Sequence, residues 1–273
     1  MNEKVKKLYD KLLQGVQEVF SSEKYVKFLE FSRNFRNYSF ENTVLIYAQK
    51  PDATYVAGYK TWEKLGRHVK KGEKGIAIFA PLIKKYKIVN EETGEEEEIT
   101  KLNGFRIVHV FDISQTEGKD IPSLVSYLET NTAEDLFQKL LKFSPVPVRY
   151  DNLPPLQNGY YSINRKEIVL SNKIKGDQLT KTLLHEIIHS IVENDAIEDK
   201  EDKRRAEIIA ESVTYIVANH FGLDTSDYSF GYVAGWSGDP KRLIKWGSEI
   251  MRIANFIIDK ISDIPVDEMK LAS

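Results

Sequence analysis

The chain of 273 residues contains no cysteine. This excludes disulfide scaffolds, thiolate nucleophiles and every zinc site built on sulfur, so any metal must be held by His, Asp or Glu. It also lacks an apolar run approaching the roughly 18 residues of a membrane span. Met1-Asn2-Glu3-Lys4 opens no secretory signal. The expectation is a cytoplasmic protein with no membrane partner. No internal repeat is visible, and strong net charge is missing too, the formal value being -2. Hydrophobic residues at 41% and charged residues at 29% exclude a mainly disordered or fibrous chain. The length is about twice that of a usual domain, which predicts two domains.

Val5, Leu8, Leu12, Val16 and Val19 recur at helical spacing, as do Val44, Leu45 and Ala48 before Pro51. From Tyr55 to Phe111 the pattern turns β-rich, with strands expected over 54–56, 75–80, 83–89 and 106–111. Asn90 to Glu98 carries six glutamates around Thr93-Gly94, the composition of a solvated hairpin tip. The polar stretch from Glu117 to Asp135 reads as a connection, dividing the chain into residues 1–125 and 126–273. In the second part a hairpin (160–163 and 167–170, turning at Asn164-Arg165) precedes helices over about 177–193, 203–221 and from Pro240 onward. The fold class expected is α+β: N-terminal helices with a twisted antiparallel sheet, then a mainly helical domain with a small hairpin or edge strand.

The sharpest chemical signal is His185-Glu186-Ile187-Ile188-His189 within an amphipathic run. Four residues make about one helical turn, so both imidazoles project from one face and can grip a single Zn²⁺, with Glu186 placed to act as general base. Downstream, Glu207 and Glu211 share a helix face around the apolar Ile208-Ile209-Ala210. Two acids in such a setting need a compensating partner, which a metal would supply. Their order and spacing are similar to those of thermolysin-like enzymes. That similarity makes Glu207 the third ligand and Glu211 a partner of His185 or His189, with the reverse assignment left open. Bound zinc with Glu186 as base implies peptide hydrolysis. Glu167 to Leu170 would be the edge strand that pairs with an extended substrate. Tyr232 could donate to the oxyanion. His220 reads as a capping or packing residue, and the same applies to His68 and His109.

Between Phe31 and Val89 twelve Lys and Arg face only Glu41, Asp52, Glu63 and Glu73, a local net charge of +8 in a slightly acidic protein. Tyr38, Phe40, Tyr47, Tyr55, Tyr59, Trp62 and Tyr86 are interleaved, the mixture of stacking faces and phosphate contacts that suits single-stranded nucleic acid. The candidate DNA-binding residues are Arg33, Arg36, Tyr59, Lys60, Trp62, Arg67, Lys70, Lys71 and Lys74.

Asn42-Thr43-Val44-Leu45-Ile46, Gln49 to Thr54, Gly58-Tyr59, Trp62, Leu65-Gly66-Arg67, Val69 to Ile76 and Val110 to Thr116 together resemble the N-terminal domain of ArdC-type antirestriction proteins. The second half, with its His-Glu-x-x-His, Glu207, Glu211 and Tyr232 to Trp236, is similar to that family's zincin-like metallopeptidase domain, related to the ImmA/IrrE peptidases. Ala206 and Ser190 depart from the family pattern, where an acid and an aromatic often stand. The resemblance implies a mobile-element protein whose first domain binds single-stranded DNA and whose second cleaves a protein such as a repressor or restriction factor. Its alternative is a DNA-binding antirestriction protein with a structural or vestigial zinc site.

Overall fold

Leu8, Leu12, Gly15, Val16 and Val19 recur every three or four residues and form the buried stripe of α1 (Glu3–Val19). The structure is a computed structural model and describes residues 3–20, 22–89, 96–121, 133–192, 200–226, 230 and 239–265. The chain forms two compact units, Met1–Val19 with Tyr38–Pro122, and Phe20–Asn37 with Ser123–Ser273. A single cut near residue 125 would put Phe20–Asn37 with the first unit. That segment instead packs with the second, for a reason given by its side chains. Tyr25, Phe28, Leu29 and Phe35 on α2 (Ser22–Ser32) and the following 3-10 turn are almost wholly buried, and the Tyr25 hydroxyl bonds Ser212 at 2.7 Å.

In the first unit, α1 packs on α3 (Phe40–Gln49) through Gly15, where an added Cβ would lie 3.0 Å from Val44 Cγ1. Ser39 caps α3 by accepting from the Asn42 N–H, and Lys50 ends it just before Pro51. The rest of the unit is β1 (Val56–Gly58), α4 (Tyr59–Lys64), β2 (Arg67–Val69), β3 (Ile76–Val89), β4 (Glu96–Asp112) and β5 (Thr116–Gly118). The strands form two sheets, ordered β1-β4-β3 and β2-β5, and every pairing is antiparallel. Where three short strands were expected over 75–80, 83–89 and 106–111, β3 and β4 run through as one long ribbon, with a register shift between Pro81 and Ile83. An irregularity with Gly104 at φ 121° absorbs the proline without ending the strand. Asn90–Gly94, the middle of the expected acidic tip, lies outside the described residues.

Two side-chain amides guard the outer edge of β3. Asn42 accepts from the Phe79 N–H and donates to its carbonyl, both at 2.9 Å, and Gln49 does the same for Ala77 at 3.1 and 2.9 Å. Asp112, only 1% exposed, accepts from the backbone N–H groups of Thr54, Tyr55 and Ser114, while the Gln115 side chain accepts from the Asp112 N–H. Backbone groups are thereby satisfied by side chains where no neighbouring strand stands among the described residues.

The second unit carries α5 (Ala133–Phe143), a three-stranded sheet of β6 (Val148–Asp151), β7 (Gly159–Ser162) and β8 (Glu167–Ser171), and the helices α6 (Gly176–Val192), α7 (Lys200–His220) and α8 (Pro240–Ser262). Asp239 caps α8, with Pro240 at its start. The expected hairpin is β7 with β8, turning through residues 163–166 with Lys166 at φ 50°. The strand order is β6-β8-β7, with β6 parallel to β8. The segment Glu167–Leu170 is therefore the middle strand, bonded on both sides, and the expectation that it offers an edge to substrate is corrected. β6 was not foreseen. Its short run among Pro145, Pro147 and Pro154 gave no strand signal. Among the described residues no helix is long and apolar enough to cross a membrane.

Candidate metal centre

The helix α6 buries Leu183, Leu184, Ile187 and Ile188 on its inner face, which fixes the direction in which His185 and His189 project. The helix α7 buries Ile208, Ile209, Val213 and Val217 in the same way. Both helices belong to one core, so the positions left over on their facing sides, His185, His189 and Glu207, come together. One ligand atom from each of the three lies within 4.8 Å of the others. The two Nε2 atoms are 2.9 Å apart, and each stands 3.7 Å from a carboxylate oxygen of Glu207. Three ligands on a tetrahedral ion with bonds of about 2.0–2.1 Å would stand about 3.3 Å apart, so the observed spacing brackets what such an ion requires. Two imidazoles and a carboxylate suit Zn²⁺ and also Mn²⁺.

The burial is graded. His189 is almost fully enclosed, His185 partly so, and the Glu207 side chain is 58% exposed, so the site opens toward solvent on the α7 side. The hydrogen bond and positive charge offered by His189, aided by His185, hold the Glu207 carboxyl below the usual carboxylate range. Glu186, the neighbour of the first histidine, is buried. Glu211 is half-buried one turn beyond Glu207. Desolvation, then the Glu207 charge, pushes its pKa up to about 7, with His189 pulling the other way. Glu211 is not among the three residues whose ligand atoms converge. Tyr232 lies outside the described residues, as does the segment 233–236.

Two supports of α7 carry no motif in the sequence. Arg205, two residues before Glu207, donates to both carboxylate oxygens of Glu249 on α8 at 2.5 and 2.6 Å. Tyr215 donates to Glu30 on α2 at 3.0 Å, and Phe230 packs edge-on against the rings of Tyr25 and Tyr215. A pairing of residues dozens of positions apart leaves no local spacing to read. Of the other histidines, His220 meets Phe221 edge-on with ring centroids 5.0 Å apart, and His68 pairs with Glu117 at 2.9 Å.

The candidate DNA-binding residues are divided between the two compact units and differ in exposure. Trp62 is 0% exposed and its indole N–H donates to the Phe111 carbonyl at 2.9 Å. It has no free face for a base, and its place in the candidate set is corrected. Arg33 donates to Asn219, and Arg36 donates to Asn255 and Asp259, which ties both into the second unit rather than the basic domain. Arg67 spends its guanidinium on Thr116 Oγ1, the Thr116 carbonyl and the Lys119 carbonyl, and Lys70 donates to the Ser114 carbonyl. Tyr59, Lys60, Lys71 and Lys74 are exposed.

The family model that matches is described as the N-terminal domain of anti-restriction factor ArdC and covers residues 2–111. An uncharacterized protein of Bacillus anthracis, pXO2-81, is 26% identical over 99% of this chain and 54% of its own length, so the chain spans about half of that curated relative. The crystal structure of the antirestriction ArdC protein from the R388 plasmid in its Mn(II)-bound form superposes with a TM-score of 0.56 at 20% identity, covering 92% of this chain and 99% of that one. Its metal-free form gives 0.53 at 21%, covering 84% and 86%. Residues 2–111 thus match the model of the N-terminal domain of anti-restriction factor ArdC, and the chain shares the fold of the R388 ArdC protein.

Proposed function

We propose that this protein is a zinc metallopeptidase of the His-Glu-x-x-His type, tethered to single-stranded DNA by its N-terminal domain and acting in antirestriction or on a regulator of a mobile element. The observation that carries the reading is the convergence of His185, His189 and Glu207 within 4.8 Å beside the buried Glu186. These three residues would hold the ion. When bound, it supplies Lewis acidity toward a scissile carbonyl and brings the pKa of water to about 7. Glu186 takes the proton from the attacking water and delivers it to the leaving amine. Glu211 orients a ligand imidazole, and Tyr232 donates to the oxyanion. An extended peptide would pair with β7 rather than β8. β7 is an edge strand, and its Gly159 lies so close to α6 that an added Cβ would stand 2.8 Å from Thr182 Cγ2. Zinc is favoured over manganese by the usual order of divalent affinities at a nitrogen-rich site.

Glu186→Gln is expected to keep the metal and lose cleavage of a protein substrate sought among repressors and restriction factors. Full peptidase activity in that variant would overturn the assignment. A second reading, in which DNA binding is the function and the metal site is structural, is favoured by the family match over residues 2–111. DNA protection that survives in Glu186→Gln would select it.

A further inference from the structure

Beyond Ala80 the β3–β4 ribbon has no third strand among the described residues, since β1 pairs with β4 at Val110–Asp112. A two-stranded ribbon exposes both faces to water, and this one keeps large apolar groups there: Leu82 and Tyr86 are each 40% exposed and Phe105 is 51% exposed. Such a concentration of exposed apolar groups marks an interaction surface.

The two faces differ in charge. In the register of the ribbon Arg106 stands opposite Ala80, Lys84 opposite Lys101 and Tyr86 opposite Ile99. Opposite partners share a face, and along β3 every second residue does too. One face therefore carries Leu82, Lys84 and Tyr86 from β3 with Ile99, Lys101 and Arg106 from β4. The stretch from Ala80 to Tyr86 spans about 20 Å at strand rise. It presents three exposed cations and no carboxylate. The Lys101 ammonium lies 5.9 Å from the centroid of the Tyr86 ring. On the other face Lys85 and Lys87 are matched by Glu98 at 2.5 Å and Glu96 at 3.0 Å. Glu96 and Glu98 lie at the far end of the described ribbon.

We infer that this face of the ribbon is the track on which the protein holds single-stranded DNA. Arg106, Lys84 and Lys101 meet successive phosphates, and a base stacks beside Leu82 on the Tyr86 ring. The inference rests on the DNA-binding reading above and moves the contact surface away from the whole earlier candidate set, from the exposed Lys60, Lys71 and Lys74 as well as from Trp62, Arg33, Arg36 and Arg67. Charge alternating with aromatic and aliphatic surface, without side chains shaped to read base edges, is what sequence-tolerant single-strand binding requires.

The test measures affinity for a fluorescent single-stranded oligonucleotide by anisotropy on the full chain between about 50 and 200 mM salt. Three variants accompany the wild type: Lys84→Gln/Lys101→Gln/Arg106→Gln, a charge-matched Lys60→Gln/Lys71→Gln/Lys74→Gln, and Tyr86→Ala. The ribbon triple is expected to make the slope of log K against log salt shallower by about 2, at about 0.7 per phosphate contact. Tyr86→Ala should weaken binding by about 5- to 100-fold, the range for one lost stacked base. The Lys60/Lys71/Lys74 triple should leave the slope within about half a unit of wild type. Equal slope losses in the two triples, or unchanged binding by the ribbon triple while wild type binds, would overturn the ribbon assignment alone. Wild-type protein that does not bind the oligonucleotide at low salt would overturn the DNA-binding reading as well.

Discussion

Adding zinc to metal-stripped protein should raise the melting temperature of the second unit, and by an amount that can be worked out. His185 and His189 hold their Nε2 atoms 2.9 Å apart. That contact is productive only if one nitrogen donates to the other, and a cation drawing on both lone pairs would relieve it. The unfolded chain offers no such convergence, because Glu207 lies 18 residues beyond His189. Binding is therefore almost entirely to the folded state and stabilises it by about 2.7 kcal/mol at free zinc 100 times Kd, and by about 4.1 kcal/mol at 1,000 times. For a unit of this size each kcal/mol moves Tm by about 2–4 °C, so upward shifts of about 5–11 °C and 8–16 °C are expected. The assay is differential scanning calorimetry in buffered zinc. Glu207→Gln replaces an ionised ligand with a neutral amide and should abolish most of the shift at the same free zinc, whereas Glu211→Gln should keep more of it. A wild-type protein whose Tm ignores zinc would falsify the three-residue site. A shift lost in Glu211→Gln and kept in Glu207→Gln would exchange the roles of the two acids.

Two further outcomes follow from the packing. Trp62→Phe removes the donor to the Phe111 carbonyl in a dry site and should cost about 1–3 kcal/mol in urea unfolding, while single-strand affinity measured on folded protein stays the same. A loss of affinity without loss of stability would restore Trp62 to the DNA surface. Glu249→Gln breaks the ion pair by which Arg205 Nη2 ties α7 to α8 and should destabilise the second unit by about 1–3 kcal/mol. It should also weaken metal binding without touching a ligand, which titration calorimetry can check against Glu207→Gln.

The features legible in the sequence are those with a short period. The stripe of α1, the start of α8 at Asp239-Pro240 and the hairpin before α6 are set by neighbours a few residues apart. The metal helix belongs with them, since a spacing of four puts His185 and His189 on one face in any helix. The Asn42–Ile46 and Asp112–Thr116 segments behind the family resemblance were also readable as a motif. Their role was not, because Asn42 closes an edge 37 residues away and Asp112 caps backbone nearly 60 residues upstream. Tertiary structure alone decided which basic and aromatic residues are free to meet a partner. Composition counts Trp62, Arg33, Arg36 and Arg67 equally with Lys84 and Tyr86, yet burial and long-range hydrogen bonds withdraw the first four. It also decided the strand order, placing Glu167–Ser171 in the middle through a parallel neighbour that no local pattern announces. Local spacing fixes the direction a side chain takes from its own element, whereas its partner depends on how distant elements share one core.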